Sequence, residues 1–479
     1  MSIKSLFSLR GTQLALSMAL GLGLQLGAAA SHAQSTTDAG LIQQGQALAT
    51  AADCAACHTA QPAHPFAGGL ALHSPMGTIY ASNITPSQKA GIGGYSEQQF
   101  ADALRRGVNA SGQHLYPAMP YTAYAGLSDQ DVHALYAYFM HGVQPDDQPA
   151  PQTHLGFPFN IRASMIGWNL LYLHGTPPQT SPAADGSVAR GKYLADTLGH
   201  CSTCHTPRNT MMAEDTGRYL GGGVVDGWIA PNITSDAVSG IGGWSNDELV
   251  AYLKTGHVAG KGQAGGSMAE AISKSFRHLS DSDLQAIAAY LKTVPAIRNP
   301  AETRPAFDYT GDGKLPSLTE REPVLPLGGK GADARRLATT DNAAELYTSA
   351  CASCHQPTGD GTRGQYFPSL SHNRAVGMSS PDNLIQVILH GLERDGADLA
   401  VSMPAFGKDL DDTQVANIVN YVETHFGNPN MQTTPAHVAL LRSGGEAPLL
   451  MKAMPWLTGL GGLALLLIVL LVASRVRRR

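Results

Sequence analysis

The residues best able to do chemistry are three copies of one pentad: Cys54-Ala-Ala-Cys57-His58, Cys201-Ser-Thr-Cys204-His205 and Cys351-Ala-Ser-Cys354-His355. The chain has 6 cysteines, so the three copies use all of them. Two thiols spaced Cys-x-x-Cys with an adjacent imidazole form the attachment signature of c-type haem, in which both sulfurs bond to the porphyrin and the His binds iron. Other uses of these residues fit less well. A structural zinc needs four ligands, and zinc built from two pentads would strand the third. A thioredoxin-like dithiol needs no following His. A disulfide is compatible with one pentad taken alone, but the repeated His argues against it. The expectation is three covalent haem c groups, held by Cys54, Cys57, Cys201, Cys204, Cys351 and Cys354, with His58, His205 and His355 as iron ligands.

An electron-transfer haem commonly takes a Met thioether as its second axial ligand. Met119 lies 61 residues after His58, Met268 lies 63 after His205, and Met403 lies 48 after His355. Each falls just before the helix that closes its segment. This shared position separates them from Met76, Met140, Met211, Met212 and Met378, for which core filling is the ordinary role. Met268 lacks the Pro that follows the other two. The backbone carbonyl of Pro368 is a candidate to orient the His355 imidazole.

Helices must place these groups. Periodicity predicts a helix from Leu41 to Ala52 leading into the first pentad, another over Glu97–Arg106, and one over Ala343–Ala350 before the third. Closing helices begin at Ser128, Ser280 and Asp411, where a residue three positions on resembles a capping box. Leu127, Leu279 and Leu410 precede the caps, with Val132, Leu284 and Val415 at the staple position. Tyr138, Tyr290 and Tyr421 recur ten residues after each cap and are assigned to packing.

Two segments are an internal duplication. The offsets are 147 residues for Cys54 to Cys201, and 149 for Asn83 to Asn232 and for Met119 to Met268. Asn83-Ile84-Thr85 and Asn232-Ile233-Thr234 formally match a glycosylation acceptor, but their equivalence favours a shared structural loop. Residues 341–430 form a shorter, more divergent relative. The Pro-rich connection through Phe157 to His174 is unusually apolar; interdomain packing is expected, with contact to a partner subunit or a membrane surface as the other reading.

Charged residues make up only 14% of the chain and the formal net charge is −5, so no basic surface suggests nucleic acid. Residues 1–33 read as a secretory signal peptide ending at Ser31-His32-Ala33. Residues 456–474 begin with Trp456, are uncharged and are followed by Arg475 and Arg477–Arg479, which reads as a membrane anchor with a cytoplasmic tail.

The paired motifs, the Tyr116-Pro-Ala-Met-Pro120 loop, Phe367-Pro-Ser-Leu370 and Ser402-Met-Pro-Ala-Phe406 resemble the tri-haem cytochrome c subunit of bacterial membrane-bound dehydrogenases. These include quinone-linked alcohol dehydrogenase and the flavin-dependent gluconate, sorbitol and fructose dehydrogenases. The resemblance implies a mainly α fold with three consecutive class I-like cytochrome c domains plus a C-terminal transmembrane helix. The corresponding boundaries are 1–33 signal peptide, 34–150 first domain, 151–186 linker, 187–300 second domain, 301–340 linker, 341–430 third domain, 431–455 linker and 456–474 anchor. It implies electron acceptance from a catalytic flavoprotein or pyrroloquinoline quinone (PQQ) subunit, with a small third subunit as a further partner. The resemblance further implies that electrons pass to ubiquinone at the periplasmic side of the inner membrane, with membrane lipid as another partner. No residue catalytic on an organic substrate is expected. The alternatives are a cytochrome subunit feeding a terminal oxidase and a free-standing multihaem redox enzyme.

Overall fold

The computed structural model describes residues 39–175, 181–312, 340–394 and 401–456, together with 458, 459, 467, 470 and 474. The expected signal peptide, 1–33, lies outside them. The chain is mainly helical, with short antiparallel hairpins. In the first repeat a lead helix over 39–51 runs into the pentad helix Cys54–His58. A hairpin follows, Ala71–Ser74 with Gly77–Tyr80, and then the helices Glu97–Arg106 and Asp129–Ala137. The second repeat places Val188–Tyr193, Ser202–His205, the hairpin Gly223–Val225 with Trp228–Ala230, Asn246–Thr255 and Asp281–Leu291 in the same order.

Lead and closing helices cross closely in both repeats, and a glycine makes this possible. A Cβ on Gly45 would sit 2.0 Å from the Ala134 carbonyl oxygen, and one on Gly191 would sit 1.9 Å from that of Ala286. Gly45 to Gly191 is an offset of 146, one less than the cysteine offset. The extra residue is taken up by a single π turn, Leu194–Leu198, between the second lead helix and its pentad. One-residue insertions into helices commonly appear in this form.

The three closing helices are capped as expected. Ser128 accepts from the Asp131 amide (3.1 Å), Ser280 from Asp283 (3.1 Å) and Asp411 from Gln414 (2.9 Å). The reciprocal half of the capping box forms only at Asp411, where the Gln414 side chain accepts from the cap amide. At the other two sites the carboxylate is drawn elsewhere. Asp283 forms a two-pronged bond with Arg190 at 2.9 and 3.1 Å, and Asp131 accepts from the Tyr193 hydroxyl at 2.6 Å.

That last bond crosses from one repeat to the other. Leu127, Tyr124, Leu194, Leu198 and Phe276 belong to one continuous apolar core spanning both. The third segment has its own core, built from Leu346, Tyr347, Ile385, Val415, Val419 and Phe426. The stretch 431–455, expected as a linker, carries a helix, Pro435–Arg442, whose Val438 and Leu441 enter that core. The first connection also folds: His154–Leu155 pairs with the first hairpin, and a helix forms over Ser164–Tyr172. Trp168 is buried beside Tyr121, consistent with interdomain packing, and donates to the Met211 carbonyl at 3.0 Å. Ile166, Leu170 and Leu171 on the same helix are exposed.

The transmembrane helix expected over 456–474 is corrected. Among the described residues no helix is long and apolar enough to cross a membrane, a span of about 20 consecutive apolar helical residues being needed to cover the hydrocarbon core. Positions 457, 460–466, 468, 469 and 471–473 of that stretch lie outside the described residues.

Gly45→Ala forces the crossing apart and lowers stability by about 1–3 kcal/mol, as overpacking does; Gly40→Ala, with nothing within 4 Å, leaves the thermal midpoint nearly unchanged. Glu423 is fully buried, one of its oxygens has no hydrogen-bond partner, and burial pushes its carboxyl up to about 9. The folded state keeps this proton up to about pH 9 while the unfolded chain releases it above pH ~4.5, so the stability it contributes is complete below pH ~4.5 and falls steadily until about pH 9. Melting curves at pH 5 and 8 should show the native protein losing stability relative to Glu423→Gln, on the order of 3 kcal/mol by pH 7.

Candidate functional site

Each pentad closes as a single helical turn with its two thiols partly buried. Burial pushes the thiols of Cys54, Cys201 and Cys351 up to about 12 and that of Cys57 up to about 11. Dithiols that work by redox exchange show the opposite shift. Among the described residues no group of three or more His, Cys, Asp or Glu side chains could hold a metal ion.

The three imidazoles share one geometry. The Nδ1 of His58 meets the Ser82 carbonyl at 2.6 Å, that of His205 meets Pro231 at 2.6 Å, and that of His355 meets Pro368 at 3.0 Å. A backbone carbonyl only accepts, so Nδ1 carries the proton and Nε2 keeps its lone pair. Burial lowers the proton affinity of all three, that of His205 to about 4, despite the opposing pull of the carbonyl bond. A neutral imidazole is the form that binds a metal.

Ser82 and Pro231 are equivalent under the repeat and immediately precede the Asn-Ile-Thr triplets. The Asn83 carbonyl side-chain oxygen accepts from the Thr85 amide (2.9 Å) and hydroxyl (2.7 Å), while its amide donates to Asp146 and Gln148. Asn232 repeats this with Thr234 and donates to Ile297. Asn83 is only 3% exposed, so the triplet is a structural loop holding the carbonyl that orients the His.

The Met residues are placed differently from one another. Met119 sits in a turn before the short helix Tyr121–Tyr124, packed by Trp168 of the connecting helix. Met268 lies on the helix Gly266–Lys274, which packs against the pentad helix of the first repeat. Met403 ends the strand Val401–Met403 and packs against the third core.

The stretches leading into the first two pentads are tied together across the repeats. The Tyr124 hydroxyl donates to the Ala52 carbonyl (2.8 Å), and its ring meets His200 edge-on at 5.7 Å. The Ser275 hydroxyl donates to Ala51. Asp53, in the left-handed region at φ 51°, is pushed up to about 8 by burial and by Glu270, against the pull of Lys274. Its neighbours were not legible from the pentad spacing, because they come from the other repeat.

A family model described as cytochrome c matches residues 188–295, and one described as cytochrome c oxidase, cbb3-type, subunit III matches 338–422. The fructose dehydrogenase cytochrome subunit of Gluconobacter japonicus is 45% identical over 433 residues, covering 88% of this chain and 87% of that one. The cytochrome c subunit of the quinone alcohol dehydrogenase of Gluconobacter oxydans is 38% identical over 90% of this chain and 87% of its own. The gluconate 2-dehydrogenase cytochrome c subunit of Pantoea cypripedii is 38% identical over 84% and 89%. The chain belongs to the family of dehydrogenase cytochrome c subunits.

Membership implies covalently bound haem c, and the residues present fit that group: partly buried thiols beside a neutral imidazole whose Nε2 keeps its lone pair. Bound haem supplies one-electron chemistry. The protein's own part is to fix the imidazole, exclude water from the thiols and hold one pentad against the next.

Proposed function

We propose that this chain is a tri-haem electron-transfer subunit that takes electrons from a catalytic dehydrogenase subunit oxidising an alcohol, sugar or sugar acid and delivers them to ubiquinone. The observation that carries this reading is the imidazole-to-carbonyl bond repeated at all three pentads. It supports His58, His205 and His355 as iron ligands, and the shared place of Met119, Met268 and Met403 ahead of each closing helix supports them as the thioether ligands. Thioether ligation favours the ferrous state and suits a carrier. The relatives that are similar over most of the chain bear dehydrogenase names, while the match to an oxidase subunit covers residues 338–422 alone. The partner is a flavoprotein or a PQQ protein, and the complex works on the periplasmic side of the inner membrane, where covalent haem attachment takes place.

Met119→Leu, Met268→Leu and Met403→Leu should each lower one of three midpoint potentials while pyridine-haemochrome spectra still report three haems. An unchanged titration removes that residue from the ligand set. The purified complex, given fructose, ethanol or gluconate without oxygen, should show ferrous haem bands that a ubiquinone analogue then bleaches. Bands that persist with quinone but bleach with a copper-haem oxidase would overturn the acceptor assignment.

A further inference from the structure

The residue just ahead of the first cysteine takes an unusual backbone in both repeats. Asp53 precedes Cys54 at φ 51° and His200 precedes Cys201 at φ 36°, and the two are equivalent at the cysteine offset of 147. The left-handed region is costly for a residue with a Cβ, so its recurrence at one position marks a turn that the surrounding fold imposes. In the third segment the same position is Ala350, the last residue of its lead helix, which has no titratable group. Asp53 stands where a helix cap would, but its side chain makes no capping bond to the pentad helix.

The Asp53 carboxyl meets the other repeat instead. Its Oδ1 is buried with no hydrogen-bond partner, while the residue as a whole is half-buried. Facing it across the joint are Glu270 and Lys274 of the helix Gly266–Lys274, together with Tyr124 and Cys204, while Cys54 and Cys57 lie on its own side. Lys274 and Glu270 pair with each other at 2.8 Å, so the lysine charge is shared between two acids. Burial first, and Glu270 second, push the Asp53 carboxyl up to about 8 against the pull of Lys274. Its negative charge bears on cysteines of both pentads, Cys54 and Cys57 in one and Cys204 in the other. An acid that caps nothing, keeps a buried oxygen unsatisfied and stands between two redox sites is placed to titrate with them.

We infer that Asp53 is a redox-linked proton site shared by the first two haems: its carboxylate binds a proton when an electron arrives at either one and gives it up when the electron leaves. Attachment converts Cys54, Cys57 and Cys204 to thioethers, which no longer titrate, and burial keeps the Tyr124 hydroxyl neutral. One electron from the dehydrogenase subunit reduces ferric to ferrous iron and removes one unit of positive charge near the carboxylate. A proton from bulk water then bonds to a carboxylate oxygen, the half-buried edge of the residue being its way in. On oxidation the electron passes on, the O–H bond breaks and the proton returns to water. The chain thus moves a proton with an electron at its first two sites and an electron alone at its third, where Ala350 replaces the acid.

The inference rests on haem occupying the first two pentads, and the experiment separates the two. The full complex is titrated by spectroelectrochemistry between about pH 6 and 10, with pyridine haemochrome reporting haem content. In the native protein the waves that Met119→Leu and Met268→Leu displace should fall as pH rises through about 8. The fall is about threefold in reduction equilibrium, ~28 mV for a one-electron couple. The wave that Met403→Leu displaces should stay level. Asp53→Asn tolerates the left-handed turn but holds no titrating proton, and should level both waves with three haems still attached. Glu270→Gln removes a charge that favours the proton and should move the fall to lower pH. If Asp53→Asn loses haem, proton uptake carries the test: reducing the native complex in weak buffer should take up protons near pH 8 and none near pH 5, and Glu270→Gln should move that uptake to lower pH. Level waves in the loaded native protein, a fall that survives in loaded Asp53→Asn, or an equal fall in the Met403 wave overturns the inference. Fewer than three haems per chain in the unmodified protein would instead overturn the tri-haem reading beneath it.

Discussion

Everything in this structure depends on one hydrogen bond made three times: an imidazole N–H to a backbone carbonyl. A His has two nitrogens and only one can carry the proton in the neutral ring, so the carbonyl selects the tautomer and aims the other nitrogen. Carbonyls are fixed by the chain that carries them. Those of Ser82 and Pro231 are therefore held by the Asn-Ile-Thr loops, whose side-chain amides are bonded back onto the segment after the closing helix. Pro368 does the same work in the third segment from a loop tied to Thr362 and Gly359.

The close helix crossings are the second constraint. With Gly45 and Gly191 the lead helix approaches the closing helix to carbonyl contact, which pulls each pentad against the apolar core. Outside that shared frame, the repeats diverge in how they use the same position. Asp283 pairs with an Arg of its own repeat, while the equivalent Asp131 accepts from Tyr193 of the other. One carboxylate thus stabilises a domain and its sibling joins two, which accompanies a single core running through both repeats. The third segment keeps a separate core and meets the second through polar contacts, including the paired bonds of Asn383 to the Ile229 backbone and of Arg394 to Gly256 and Gln263.

Much was legible from sequence because it is local or covalent. The pentads name their chemistry by composition and spacing alone, the caps at Ser128, Ser280 and Asp411 are i to i+3 signals, and the duplication appears as a near-constant offset. Even the Pro368 carbonyl could be singled out, because it lies 13 residues from His355. What only the tertiary structure decided are pairings across long separations: Ser82 to His58 over 24 residues, Arg374 to Asn232 over 142 and Ser275 to Ala51 over 224. Expected linkers proved to carry helices, since Trp168 and Val438 find apolar surface that no local pattern announces. Sequence by itself determined which groups would be attached and roughly where along the chain. Only folding decided which segments meet and through which groups, because burial and long-range hydrogen bonding are properties of surfaces that distant residues build together.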